Sequence, residues 1–199
     1  DNGVYAGTES HIDVDGNTEN GEWLKIEMPH KLKVGYFEIR VNPTTGSQSL
    51  RDYAILGSND DTNWYQVQKV SGLGVGNGLT GGSGGVGTDE VAIVPTGTYK
   101  NHAFKYFVFI WHNKANDVNG HVSMGELKLY GHKEGDLTRF PEPTRVLKYP
   151  HVAMTGPARR GYVVQTSGNN ATSNDGWKAF NGVGFDGSPG SSGDHWHTP

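Results

Sequence analysis

Residues 21–29 read GEWLKIEMP, and the spacing inside that stretch decides the fold class. Leu24, Ile26 and Met28 alternate with Trp23, Lys25 and Glu27, the period of two that sends one set of side chains into a core and the other outside. Pro29 is expected to end the strand, because proline has no N–H to give a sheet ladder. Outward from there the pattern recurs. Phe37, Ile39 and Val41 alternate within YFEIRV (36–41), and DYAIL (52–56), NWYQVQKV (63–70), DEVAIV (89–94) and GELKLYG (125–131) read as further strands. FKYFVFIW (104–111) is apolar at nearly every position, so it belongs at the centre of a sheet, buried on both faces. The separators NPTTG, GSNDDTN, TGTYKN and KANDVNG carry the Gly, Asn, Asp, Pro and Thr that turns require. No stretch keeps a helical period over three turns. The expectation is an all-β chain folded as an antiparallel β-sandwich.

Composition narrows the function. The 17 Lys and Arg against 21 Asp and Glu leave a net charge of −4, without the basic excess that binding to phosphate backbones favours, so nucleic acid is not expected as a partner. Cysteine is absent, which excludes a disulfide framework, a thiolate metal site and a Cys nucleophile. No apolar run approaches the roughly 20 residues of a membrane-spanning helix, so membrane insertion is not expected, and the first residues do not read as a signal peptide.

Catalytic patterns are weak. Asp60-Asp61 and Asp89-Glu90 are adjacent pairs that turn and strand geometry splay apart, and Asp13 and Asp15 lie in a polar turn. No serine stands in a G-x-S-x-G elbow. The glycine-rich stretch 71–88 holds a formal G-x-G-x-x-G at Gly76, Gly78 and Gly81, without the strand-to-helix context a phosphate loop needs; it reads as a surface loop. His195 and His197 are spaced to share one face of a strand, but no third zinc ligand stands at a telling distance. Arg159-Arg160 suits an anionic partner, and Asn170-Ala171-Thr172 is a formal glycosylation sequon. The chain is expected not to be an enzyme.

The order of phrases resembles a known family. GEWLKIEMP, LRDYAILGSNDDTNWYQV, FKYFVFIW and VSMGELKLYG, over about residues 21–131, are similar to the discoidin, or coagulation factor 5/8 type C, domains of the galactose-binding-like sandwiches. The most specific piece is Leu56 to Trp64, which resembles the family phrase GSNDGTNW. The resemblance implies a jelly-roll sandwich. Such domains open with an A-F-D-G segment and a following Trp; here that segment stands at the far end, as Ala179-Phe180-Asn181-Gly182 with Trp196. Residues 1–131 thus read as a sandwich without its opening segment, 132–150 as a charged, Pro-containing linker, and 151–199 as the opening segment of a repeat. That segment is expected to complete a sandwich in cis, as in a circular permutant, or from a neighbouring chain or repeat of a tandem array.

The resemblance also implies a ligand set. Relatives hold a structural Ca²⁺, and by position its ligands here are Asn181, where the family has Asp, together with Asp194 and Glu126, hard oxygens suited to that ion. Loops at the sandwich ends are the expected binding surfaces, with Trp196, His195, Trp111, His112, Asn113 and Tyr65 as candidate contacts. Aromatic faces of this kind stack on sugar rings in carbohydrate-binding relatives. The stretch LKYPHVAMTGPARRGYVVQTSGN (147–169) is further similar to preambles of repeats in structural proteins of large DNA viruses and phages. The expected function is a non-catalytic recognition or assembly module on an extracellular or virion surface, within a larger chain or assembly. Its partner is a carbohydrate or cell-surface ligand, or neighbouring structural subunits; the alternatives are a minor capsid or fibre protein and an accessory module of a glycoside hydrolase.

Overall fold

Leu24, Ile26 and Met28 have no exposed surface, and they lie in a strand that runs well past Pro29. The computed structural model describes residues 10–41, 50–71, 90–114, 123–135, 147–168, 175–182 and 196–197. Its strands are β1 (Ser10–Ile12), β2 (Thr18–Asn20), β3 (Glu22–Val41), β4 (Leu50–Ser58), β5 (Tyr65–Val70), β6 (Glu90–Ile93), β7 (Ala103–Lys114), β8 (Ser123–Lys133), β9 (Leu147–Tyr149), β10 (Ala158–Arg159), β11 (Tyr162–Thr166) and β12 (Trp196–His197). A 3-10 helix spans Gly176–Phe180. The fold is all-β: β1 and β2 form a hairpin of their own, and the other ten strands join in one antiparallel sheet.

Pro29 does not end β3, as its sequence suggested. The ladder with β7 shifts register between Glu27 and Leu32 and then resumes, so the proline sits inside an irregularity, where a strand tolerates it. YFEIRV is therefore the second half of the same strand. The halves have different neighbours: Leu24 to Glu27 run between β11 and β7, whereas Phe37 to Arg40 run between β6 and β8. One portion of the sheet has the order β10-β11-β3-β7-β4-β5, and in the other β8 takes β3 on one side and both β9 and β12 as further partners. The Phe37 ring meets Phe109 edge-on at 5.2 Å and Phe107 at 6.3 Å, so side chains of the two portions share one core.

β7 lies between β3 and β4 and is buried on both faces, as its composition requires. Phe107, Phe109 and Trp111 join the main core, while Val108 and Ile110 point the other way, into a second cluster with Ala54, Leu56 and Trp64. Trp64 belongs to this outer cluster and not to the main core. In the turn before it, the Asp60 carboxylate accepts the Thr62 and Asn63 amide N–H groups at 3.0 and 2.8 Å. Asp61 follows at φ 60°, where the resembling phrase has glycine; a 2.7 Å ion pair with Lys25 holds the bulkier residue there.

The carboxy-terminal stretch is part of the same sheet. β9 pairs with β8, so the stretch read as a linker gives residues to the sheet at both of its ends; buried Tyr149 supplies the reason. β10 and β11 turn through Arg160 and Gly161, both at positive φ (49° and 84°), as a two-residue hairpin of the I′ kind demands. β11 then pairs with β3, and β12 with β8. Tyr149, Met154, Tyr162, Val164, Ala179, Phe180 and Trp196 all enter the main core.

Candidate functional site

The candidate residues on β7 and β12 meet at one end of the core. The Trp111 and Trp196 rings lie 4.7 Å apart at 53°, and both indoles are almost wholly buried, with exposures of 2% and 0%. The Trp196 indole N–H donates to the Gly168 carbonyl at 3.4 Å. As arranged, the two rings pack the core and turn no open face to a ligand. Asn113 follows within β7, its side chain outside the described part, and His195 lies outside the described residues.

His112, one residue beyond Trp111, faces the outer side of β7. Its Nδ1 lies 2.8 Å from the Asn20 carbonyl oxygen, which only accepts, so Nδ1 donates. Its Nε2 lies 3.0 Å from Glu19 Oε2, off the axis of a good hydrogen bond. The ring thus stands between the Asn20 carbonyl and the Glu19 carboxylate. Lys69 Nζ donates to the other Glu19 oxygen at 2.6 Å. Only 1% of the Glu19 side chain is exposed. Burial alone would raise this carboxyl, but His112 and Lys69 outweigh burial and hold it below its ordinary value.

For calcium, the fold brings β8, which carries Glu126, against the 3-10 helix, which Asn181 caps. Glu126 is 4% exposed and stands in register opposite Arg40. Asn181 donates its backbone N–H to the Lys178 carbonyl at 3.2 Å, and Gly182 follows at φ 74°. Asp194 lies outside the described residues. Among the described residues no group of three His, Asp or Glu side chains is placed to hold a metal ion. The donor set available to a hard cation is thus one buried carboxylate, one amide and the carbonyls of a turn.

Tyr65 lies elsewhere. It stacks on Phe104 at 5.6 Å, near the start of β7, about 24 Å along the strand from Trp111 at ~3.4 Å per residue. Tyr99 stands edge-on to it at 5.0 Å, and exposed His102 lies 5.5 Å from Tyr99 and stacks on Phe104 at 6.2 Å. The Tyr99 hydroxyl donates to Asp15 at 3.4 Å. Burial, reinforced by Asp15, raises this phenol. Four rings thus crowd one end of the sheet, two tyrosines half-buried and one imidazole in solvent.

A basic seam marks where the carboxy-terminal stretch meets β3. His151 Nδ1 lies 2.9 Å from the hydroxyl of fully buried Tyr162, whose phenol burial pushes up to about 12. His30 rests edge-on against Tyr149 at 5.5 Å. Its imidazole is held below the ordinary value by burial first, and then by Lys133 and His151. Arg159 donates to the Ala153 carbonyl, so one of the paired arginines is engaged within its own segment.

Sequence reasoning missed Glu19 as the shared partner of Lys69 and His112, because the two pairings span 50 and 93 positions and leave no local pattern. It missed Tyr99 for a different reason: the residue stands in a stretch read only as a turn, although an aromatic within TGTYKN was a visible signal. Comparison of the chain with protein-family models, with curated proteins and with solved structures finds no match.

Proposed function

We propose that this chain is a non-catalytic recognition module of discoidin-like sandwich architecture, working on an extracellular or virion surface and binding carbohydrate through an aromatic end of its sheet. The carrying observation is the way the resembling phrases fall. GEWLKIEMP opens β3, the GSNDDTNW phrase joins β4 to β5, FKYFVFIW forms β7 and GELKLYG forms β8. The segment with Ala179-Phe180 and Trp196, displaced in sequence, packs into the core those strands open, with Trp196 in register beside Met124. In this reading the two portions of the sheet are the layers of the sandwich, and the carboxy-terminal stretch completes it in cis.

The binding end in this reading is the group of Tyr65, Tyr99 and His102, rather than Trp111 and Trp196, which the core consumes. Half-buried rings held against one another present rigid apolar edges, and an exposed imidazole and the Asp15 carboxylate supply hydrogen bonds to hydroxyls. Calcium belongs to the reading as a structural ion held by Glu126, Asn181 and turn carbonyls, with Asp194 as a further ligand; it would tie β8 to the loop after the 3-10 helix.

Glycan-array screening followed by calorimetric titration of the best hit tests the binding claim. The expected result is binding that His102→Ala, an exposed substitution, weakens about tenfold or more, the scale of losing one well-made contact. An array with no hit would sink the carbohydrate reading and favour subunit assembly. For calcium, a melting temperature raised by millimolar Ca²⁺ in the native chain and not in Glu126→Gln is expected; equal melting with and without the ion removes the site.

A further inference from the structure

The β1–β2 hairpin is attached to the rest of the molecule in an unusual way. It is a separate two-stranded sheet, and its ladder does not continue into the large one. It meets the outer side of the sheet at two indoles, Trp64, which belongs to the buried cluster of Ala54, Leu56, Val108 and Ile110, and Trp23, which packs against that cluster. His11 sits edge-on to both indoles, 5.6 Å from Trp23 and 5.3 Å from Trp64. Just before β5, Trp64 forms an isolated parallel bridge with Asp13 of the hairpin, in which the Val14 N–H donates to the Trp64 carbonyl at 2.9 Å, and the Tyr99 hydroxyl donates to Asp15 at 3.4 Å. The hairpin turns its own apolar residues outward: Ile12 is 58% exposed and Val14 43%. Little apolar burial therefore comes from the hairpin itself.

What it does bury is carboxylate: Asp13, which accepts from the Asp15 and Asn17 N–H groups of its own turn, and Glu19, whose partners lie outside the hairpin. Glu19 is taken almost completely out of water, and such a group is tolerated only while its partners stand beside it. Those partners belong to the large sheet, Lys69 on β5 and His112 on β7, at 2.6 and 3.0 Å. With one of them gone, the carboxylate can regain solvation by lifting the hairpin, at the cost of few apolar contacts. Segments held by so few apolar contacts open independently of the core.

We propose that the β1–β2 hairpin is a detachable cover, seated against Trp23 and Trp64 on the outer side of the large sheet by the contacts of buried Glu19 with Lys69 and His112, and that losing either partner lets it lift as a unit while the sheet stays folded. Trp23 and Trp64 are then opened to solvent.

Hydrogen exchange on the full chain tests this, comparing the native protein with Lys69→Met and with His112→Gln. The expected result in each variant is that the amides of Asp13, Val14 and Gly16 exchange about tenfold or more faster, while those of Val108 and Ile110 keep their protection. Acrylamide should quench tryptophan emission more strongly in the same variants. The double variant Glu19→Gln with Lys69→Met removes the buried charge along with its partner, so its hairpin should regain protection relative to Lys69→Met alone. Unchanged hairpin exchange in both single variants overturns the proposal, as does loss of protection in hairpin and β7 together. A double variant no better protected than Lys69→Met would show that Lys69 acts by packing and overturn the charge seat.

Discussion

The two faces of β7 are sealed by different physics. On the inner face Phe107, Phe109 and Trp111 meet side chains from β3, β8, β11, the 3-10 helix and β12, so nearly every part of the chain contributes apolar surface. On the outer face five buried residues form a small cluster, and the cover over it is held largely by ions and hydrogen bonds. One strand thus carries a closure that depends on area and another that depends on charge. Apolar area does not itself titrate, so the inner closure feels pH only through groups at its edge such as His30, whereas a charge seat fails when one partner goes.

Removing the inner seal should have the largest effect. Trp196→Ala empties a fully buried indole site beside Trp111, and a loss of about 3–5 kcal/mol is expected, measured by denaturant unfolding. The loss should appear across the whole sheet, β5 included, because the core is shared. A cost below about 1 kcal/mol, typical of an exposed site, would show that the carboxy-terminal stretch is not integral to the inner face.

Acid should separate the faces next. His30 is depressed below the ordinary imidazole value of 6.5, so it favours its neutral form in the fold. The stability tied to it is present above that pH and is lost as pH falls from 6.5 toward the depressed value. Glu19 is depressed below 4.5, so its contribution is present above 4.5 and is lost only as pH falls through its lower folded value. On acidification the seam at Tyr149 and His151 should loosen first and the hairpin second. Melting temperatures followed from pH 8 to pH 2 check the order, with His30→Gln expected to flatten the first decline; an unchanged profile in that variant would contradict it.

The smallest effect sharpens the same seam. Arg160 occupies a positive-φ position that Asn fills with less strain, and Arg160→Asn should stabilise the chain by about 0.5 kcal/mol, read as a small rise in melting temperature. A fall would mean that the Arg160 side chain makes a contribution of its own in the hairpin.

The inner face was legible in the sequence and the outer one was not, and the difference has a cause. Apolar alternation at Leu24, Ile26 and Met28 and the continuous run at 104–111 are local patterns, so strands and their buried faces followed from spacing alone. Pro29 misled because a register shift absorbs a proline inside a long strand, and no residue pattern announces such a shift. Trp111 and Trp196 looked like ligand contacts because tryptophan serves cores and binding faces with the same chemistry; only their 4.7 Å packing distinguishes the two roles. Glu19 draws no notice in the sequence because what makes it special, near-complete burial beside the distant Lys69 and His112, is a property of the assembled sheet.

The most direct test of the account is native-state hydrogen exchange in rising sub-denaturing guanidinium, comparing Val164 in β11 with Val108 in β7. If the carboxy-terminal stretch is integral to the inner face, the two amides will converge on one opening free energy and one denaturant dependence, with the hairpin amides opening well below it. If Val164 exchanges through a separate, much cheaper opening while Val108 stays protected, the inner face is closed without that stretch, and the central claim fails.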